Sequence, residues 1–230
     1  PPDHGSFCTF VNHKADFCFK LPDNVSLEEG AMIEPLSTGI YAARVAPIRM
    51  GDCVVITGAG PIGLMNLLAA KAAGATTLII SDMVEARLEI ARQIGATHTV
   101  RGDANELKQL AQNATKGRGA DVAIECAGHP SALNAAIEAT RAGGVVVLIG
   151  MPPNDTATVN VNDLIVREIT LRPIFRYNNT FPTGVELLAS GKVDVKPLIS
   201  KRFSLEETPA AFDYVVENRA TCMKAIVDLE

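Results

Sequence analysis

The sequence predicts a doubly wound α/β fold organised around a parallel sheet. From Asp52 onward, short β-branched runs alternate strictly with longer stretches of helical periodicity. The strand-like runs are apolar throughout, as strands covered by helices on both faces require. Eighteen glycines suit the many tight strand-to-helix turns of such a fold. At 230 residues, 47% of them hydrophobic and 20% charged, the chain can bury a sizeable core, either as one large domain or as one domain with part of another.

Residues 7–21 alternate apolar and polar types over short runs, the period of half-buried strands. Pro22-Asp23-Asn24 reads as a turn, and Ser26 with Glu29 three positions on forms a capping box. Helical spacing then runs to about Ala46, despite Pro35 near its middle. In the alternating region, strands are expected over 53–57, 77–81, 97–100, 121–125 and 144–149. Helices are expected between them over 61–73, 84–94, 104–115 and 131–140. After Gly150 the loop Met151-Pro152-Pro153-Asn154-Asp155 interrupts the pattern, and a strand over 169–175 would complete the sheet. The remainder is mixed, with a helix over 183–189, a strand over 199–203 and a helix over 207–218.

A net charge of −5 with dispersed Lys and Arg leaves no basic stripe for a nucleic-acid backbone or an anionic membrane. No apolar run approaches the ~20 residues of a spanning helix, and Pro1-Pro2-Asp3-His4 lacks the features of a secretory signal. The expectation is a soluble, cytoplasmic protein acting on small molecules. Its five scattered cysteines match neither a zinc lobe nor a disulfide framework and read as reduced thiols. An opening on Pro-Pro, without Met and running straight into alternation, reads as the middle of a larger fold.

The turn Gly58-Ala59-Gly60-Pro61-Ile62-Gly63 directly follows one expected strand and opens the next helix. In that context each glycine has a distinct role. Gly58 permits the sharp turn, Gly60 admits a pyrophosphate to the backbone, and Gly63 lets the helix pack closely on the sheet. The helix N-terminus then offers free N–H groups and about half a positive charge to phosphates, with Pro61 at the position that needs no N–H. The plainer reading is a glycine-rich turn that only tightens a strand-helix corner. Asp82, nineteen positions past Gly63 at the end of the second strand, favours cofactor binding. An acidic residue there accepts hydrogen bonds from the adenosine ribose and repels a 2′-phosphate, so NAD is expected over NADP. Arg87 could weaken that preference by swinging towards a phosphate; otherwise it is a solvated helix residue or lies against the adenine.

Several segments carry a family resemblance over essentially the whole chain: Phe17-Cys18-Phe19-Lys20-Leu21-Pro22-Asp23-Asn24-Val25, Met32-Ile33-Glu34-Pro35-Leu36-Ser37, the glycine turn, Glu125-Cys126-Ala127-Gly128 and Phe175-Arg176-Tyr177-Asn178-Asn179-Thr180. They resemble the zinc-dependent medium-chain dehydrogenases, and the last segment resembles their polyol branch, typified by sorbitol and xylitol dehydrogenases. The resemblance implies a Rossmann domain over 43–175, flanked by two parts of a mostly β, GroES-like catalytic domain, 1–42 and 176–230. It implies that Glu34 coordinates the catalytic zinc or holds its water, and that Ser37 and Thr38 lie near the nicotinamide. Arg176 and Tyr177 would line the polyol pocket. Cys126, Ile149, Gly150, Met151, Ile174, Phe175 and Arg176 would contact the cofactor, beside Gly58, Gly60, Pro61, Ile62, Gly63, Asp82 and Arg87.

The implied reaction is zinc-assisted hydride transfer between a polyol and NAD, giving a ketose. The chain departs from the family's pattern in lacking the cysteine and the His-Glu pair that supply the main zinc ligands, and the four-cysteine structural lobe. None of His4, Cys8, His13 and Cys18 sits in a matching motif, so this chain alone is not expected to hold a catalytic zinc or, without it, to be active. Threonine or butanediol dehydrogenases of the same family, and a non-catalytic NAD(H)-binding protein, are the alternatives. Relatives form dimers or tetramers by joining sheets edge to edge, so a homo-oligomer is expected.

Overall fold

A computed structural model describes residues 5–154 and 156–229 of the chain; His4 and Asp155 lie outside them. The capping box forms as the spacing predicts: the Glu29 N–H donates to Ser26 Oγ at 3.3 Å and the Ser26 N–H donates to Glu29 Oε2 at 3.0 Å. It starts helix α1, Leu27–Ala31, which passes through Met32 into α2, Ile33–Val45. Pro35 therefore falls in the first turn of α2, where its missing N–H costs no hydrogen bond, and the helical pattern survives it. Replacing Ser26 by Ala is expected to cost about 1 kcal/mol, a fall of roughly 3 °C in the Tm of a chain this long. A thermal melt checks this, and an unchanged midpoint would show that the box does not hold the helix start.

The alternating region forms β1 Cys53–Thr57, α3 Pro61–Ala73, β2 Thr77–Asp82, α4 Glu85–Ile94, β3 His98–Arg101, α5 Ala104–Ala114, β4 Ala120–Glu125, α6 Pro130–Ala139 and β5 Thr140–Leu148. A short helix α7, Val161–Val166, precedes β6, Thr170–Pro173. The six strands make one parallel sheet in the order β3-β2-β1-β4-β5-β6. Strand order reverses between β1 and β4, which leaves a crevice at their carboxyl ends, the place where such sheets hold ligands. Every residue of β1 is buried. Val54 and Ile56 point into a core with Leu64 and Leu67 of α3, while Val55 points into a second core with Leu107 of α5 and Ile137 of α6. Helix α2 lies close against α3: a Cβ on Gly39 would sit 2.7 Å from the Met65 carbonyl oxygen and 2.9 Å from the Ala69 Cβ. The sheet core and the α2 segment are thus one packed body.

Beyond the sheet, α8 Phe181–Ala189 leads to β7 Ile199–Ser204, then α9 Thr208–Glu217 and β8 Lys224–Asp228. Strands β7 and β8 pair in parallel as a separate two-stranded sheet. Neither α7 nor β8 is expected from the sequence, since each is short and lacks a clear period.

The strands expected within residues 7–21 do not form. The segment is extended or looped apart from a 3-10 turn at Ala15–Phe17, and Phe7, Phe10, Val11, Phe17 and Phe19 are exposed. Alternation alone does not make a strand. Its N–H and C=O groups need a neighbouring edge, and no described strand runs beside this segment. Among the described residues, no helix is long and apolar enough to cross a membrane.

Candidate functional site

Gly58 adopts φ +95°, open to glycine and strained for other residues, and turns the chain sharply off β1. A Cβ on Gly63 would fall on the Gly58 carbonyl oxygen, so the start of α3 can close over the turn only because Gly63 has none. Around Gly60 the space is open, the nearest atom to a built Cβ being Arg87 Nη1 at 4.0 Å. No side chain caps this helix start. The Pro61–Gly63 turn therefore presents the helix's positive end to open space.

Beside the turn lies a cleft of about 560 Å³. Gly58, Asp82 and Arg87 line it together with Thr57, Met83, Ala127 and His129. The Asp82 side chain is 7% exposed. Its Oδ2 accepts from the Ala59 N–H at 2.7 Å and its Oδ1 from the Val84 N–H at 2.9 Å, which fixes the carboxylate with its remaining lone pairs towards the cleft. The Thr57 hydroxyl, buried on the same wall, has no hydrogen-bond partner among the described residues. Open space over an uncapped helix start, with a fixed carboxylate beside it, fits a dinucleotide with its diphosphate at the turn and its adenosine ribose at Asp82.

Arg87 stands at the cleft wall and is not a solvated helix residue. Nη1 stands 3.5 Å from Asp82 Oδ2, Nε donates to the Ala220 carbonyl at 3.2 Å and Nη2 to the Arg219 carbonyl at 2.5 Å. It is a half-buried clasp between α4 and the turn before β8.

Cys126, Ile149 and Gly150 are half-buried in the turns after β4 and β5, beside the Gly58 turn. Burial pushes the Cys126 thiol well up, with Glu125 adding to the shift, so it is a poor thiolate nucleophile. Met151 and Phe175 are exposed, and Ile174 packs against the core. Ser37 and Thr38 are buried on α2; the Ser37 hydroxyl has no partner among the described residues.

Glu34 and Tyr177, 143 positions apart, do meet: the Tyr177 hydroxyl donates to Glu34 Oε1 at 3.0 Å. Burial first, then this bond, raises the Tyr177 pKa and keeps the phenol protonated. Its ring packs on Phe181, 5.5 Å between centroids, and Phe181 stacks on Phe19. Arg176 does not join them. Its backbone is left-handed at φ +57° and its guanidinium lies 5.3 Å over the Phe175 ring. Two carbonyls of this loop, those of Asn178 and Asn179, accept from Arg44 of α2.

Zinc sites take four ligands, or three and a water. Glu34 is a single exposed carboxylate whose partner is a phenol. No group of three or more His, Cys, Asp or Glu side chains gathers among the described residues, so the donors present do not fit a zinc ion.

Three further cleft residues, Met83, Ala127 and His129, carry no cofactor expectation from the sequence; Ala127 lies within the Glu125–Gly128 segment, while Met83 and His129 come from turns without a motif. The His129-Pro130-Ser131 start of α6 carries the one available signal, a helix-capping arrangement in which the Ser131 N–H donates to His129 Nδ1.

Residues 61–190 match the profile of the zinc-binding dehydrogenases. The chain is 41% identical over 227 residues to a sorbitol dehydrogenase of Bacillus subtilis (strain 168), covering 99% of this chain and 64% of that one. It therefore spans less than two thirds of that relative's length. Among solved structures it is similar to 2R,3R-butanediol dehydrogenase from Bacillus subtilis, with a TM-score of 0.85, 30% identity and coverage of 92% of this chain and 60% of that one. It is also similar to a zinc-binding dehydrogenase from Sinorhizobium meliloti 1021 bound to NADP, with a TM-score of 0.81, 30% identity, and 92% and 62% coverage. With the glycine turn, the 3-2-1-4-5-6 parallel sheet and a profile match over more than half its length, the chain belongs to the zinc-binding dehydrogenase family.

Proposed function

We propose that this chain is the NAD(H)-binding part of a polyol dehydrogenase, with residues 43–175 as the dinucleotide-binding domain and 1–42 and 176–230 as parts of a catalytic domain. The observation that carries the cofactor reading is the Asp82 carboxylate, fixed by the Ala59 and Val84 N–H groups at the wall of the cleft. The substrate class rests on the sequence likeness to the sorbitol dehydrogenase. The free edge of β6 fits the joining of a second copy, as a homo-oligomer acting in the cytoplasm.

When bound, NAD supplies the hydride acceptor. The N–H groups of the Gly60–Gly63 turn hold the diphosphate, and Asp82 accepts from the adenosine ribose hydroxyls. Cys126, Ile149, Gly150 and Met151 wall the nicotinamide half and exclude water, with Ser37 and Thr38 behind it. Tyr177, kept protonated, donates to one oxygen of Glu34 and orients it; the other oxygen is left to accept from a substrate hydroxyl. Arg176, exposed beside Phe175, reaches the polyol's remaining hydroxyls.

Fluorescence titration with NADH and NADPH tests the cofactor assignment. NADH is expected to bind about tenfold tighter or more, since a 2′-phosphate meets the Asp82 charge. Equal affinities would overturn the NAD assignment.

A further inference from the structure

Glu125 is the last residue of β4, in register with Thr57 of β1 and Leu148 of β5, where the sheet opens into the crevice. It is 3% exposed, and no cation pairs with it among the described residues. Such a carboxylate is costly to bury. An amide of the same shape could still accept from the Ala127 and Gly128 N–H groups without burying a charge.

Its contacts point to another use. Oε1 accepts from the Ala127 and Gly128 N–H groups, both at 2.8 Å. The main-chain carbonyl of the same residue accepts from the Ile149 N–H at 2.9 Å and the Gly150 N–H at 3.0 Å. One residue thus ties down the turns after β4 and after β5. The two turns also interlock: a Cβ on Gly150 would fall on the Gly128 nitrogen and lie 2.6 Å from Glu125 Oε2. The glycine turn leans on the same segment, since a Cβ on Gly58 would sit 2.9 Å from the Ala127 nitrogen. The turn after β4, held by the carboxylate, is thus the one on which the turn after β5 and the glycine turn both pack.

We propose that Glu125 is a positioning residue for dinucleotide binding: its buried carboxylate fixes the turn after β4, against which the turn after β5 packs, at the spacing that admits the nicotinamide half of the cofactor. This rests on the NAD(H) reading above.

Burial raises the Glu125 pKa, while the Gly128, Ala127, His129 and Gly150 backbone N–H groups favour the ionised form. With the folded pKa above the unfolded one, ionisation subtracts stability as pH rises through the folded value. The charge is kept against the interest of the fold. On acidification the carboxyl takes up a proton and loosens its hold on the N–H groups, since a neutral oxygen accepts more weakly than an ionised one. Around it, Thr57 and Leu148 are neutral, and the adjoining Cys126 thiol is pushed far up. His129, at the start of α6, has its ring Nδ1 on the Ser131 hydroxyl at 2.8 Å.

The test is NADH affinity across the acidic to neutral range for the unmodified chain and for Glu125→Gln, with thermal unfolding in parallel. The amide keeps the shape but cannot accept at both oxygens. NADH is expected to bind the variant about tenfold more weakly at neutral pH, the scale of a lost charge-assisted hydrogen bond, with an unfolding midpoint close to that of the unmodified chain. Affinity of the unmodified chain should fall on acidification above the ordinary carboxylate range, and that dependence should vanish in the variant. Equal affinity and an equal pH profile in the two proteins would overturn the proposal. No NADH binding by the unmodified chain would instead overturn the cofactor reading. If Glu125→Gln does not fold, Glu125→Asp decides the matter: it keeps the charge but withdraws it by one methylene, so unchanged affinity there overturns the proposal and weakened binding in a folded protein supports it.

Discussion

Replacing Asp82 by Ala is expected to lower NADH affinity by roughly 10- to 100-fold, the loss of hydrogen bonds to a charged acceptor at about 1.5–3 kcal/mol. Two further consequences follow from its partners. The Ala59 N–H, buried against Oδ2, loses its acceptor, so stability should fall by about 1–3 kcal/mol. Arg87 loses its anion and keeps its two carbonyl contacts, which leaves Nη1 to meet a 2′-phosphate. NADPH affinity should therefore hold or rise while NADH affinity drops. Titration of both dinucleotides, at a temperature where melts show the variant folded, checks this. An unchanged ratio would mean that Asp82 serves only to fix the Ala59 turn.

Gly60→Ala and Gly63→Ala should separate binding from folding within one turn. At Gly60 the backbone is ordinary, φ −71° and ψ −179°, and a methyl would meet nothing nearer than Arg87 Nη1 at 4.0 Å. The fold should accept it unchanged or gain slightly, because alanine restricts the unfolded chain. The methyl would occupy the diphosphate's approach to the turn, with a loss of NADH affinity on the order of a hundredfold, about 3 kcal/mol of misfit. At Gly63 the added methyl would run into the Gly58 carbonyl, which is backbone and has no flexible end to swing aside. Destabilisation of about 3 kcal/mol is expected, close to 10 °C in Tm at this chain length. Circular dichroism melts and NADH titration on the pair check it. Equal melts, or NADH binding by Gly60→Ala at full strength, would remove the assigned roles.

Much of the fold was legible because its determinants are local. An apolar run of strand length, a turn glycine and a helical period each lie within about fifteen residues of sequence, and between residues 53 and 148 the expected and observed elements agree apart from their ends. The capping box at Ser26 was readable for the same reason. Residues 7–21 were misread because their period describes what a strand would bury, and a strand also needs an edge to pair with. Helix α7 and strand β8 were missed because each is held by its neighbours: β8 by its parallel register with β7, α7 by the Arg167 side chain reaching the Thr140 and Ile137 carbonyls.

In the site, the glycine turn and Asp82 could be read from spacing, since both sit on one strand-helix-strand unit. Family likeness alone pointed to Glu34 and to Tyr177, each separately and without their hydrogen bond, and the Arg87 clasp on Arg219 and Ala220 came from nothing in the sequence. By itself, the sequence determined the doubly wound order of elements and the place where a phosphate could meet bare backbone. The tertiary structure decided which distant side chains share a surface, and it alone revealed that Glu125 joins two turns, its side chain holding the one after β4 and its main-chain carbonyl the one after β5. The reason is range: backbone periodicity and turn chemistry act over a few residues, while the bonds from Tyr177 to Glu34 and from the Gly150 N–H to the Glu125 carbonyl join positions that only the folded chain brings to 3.0 Å.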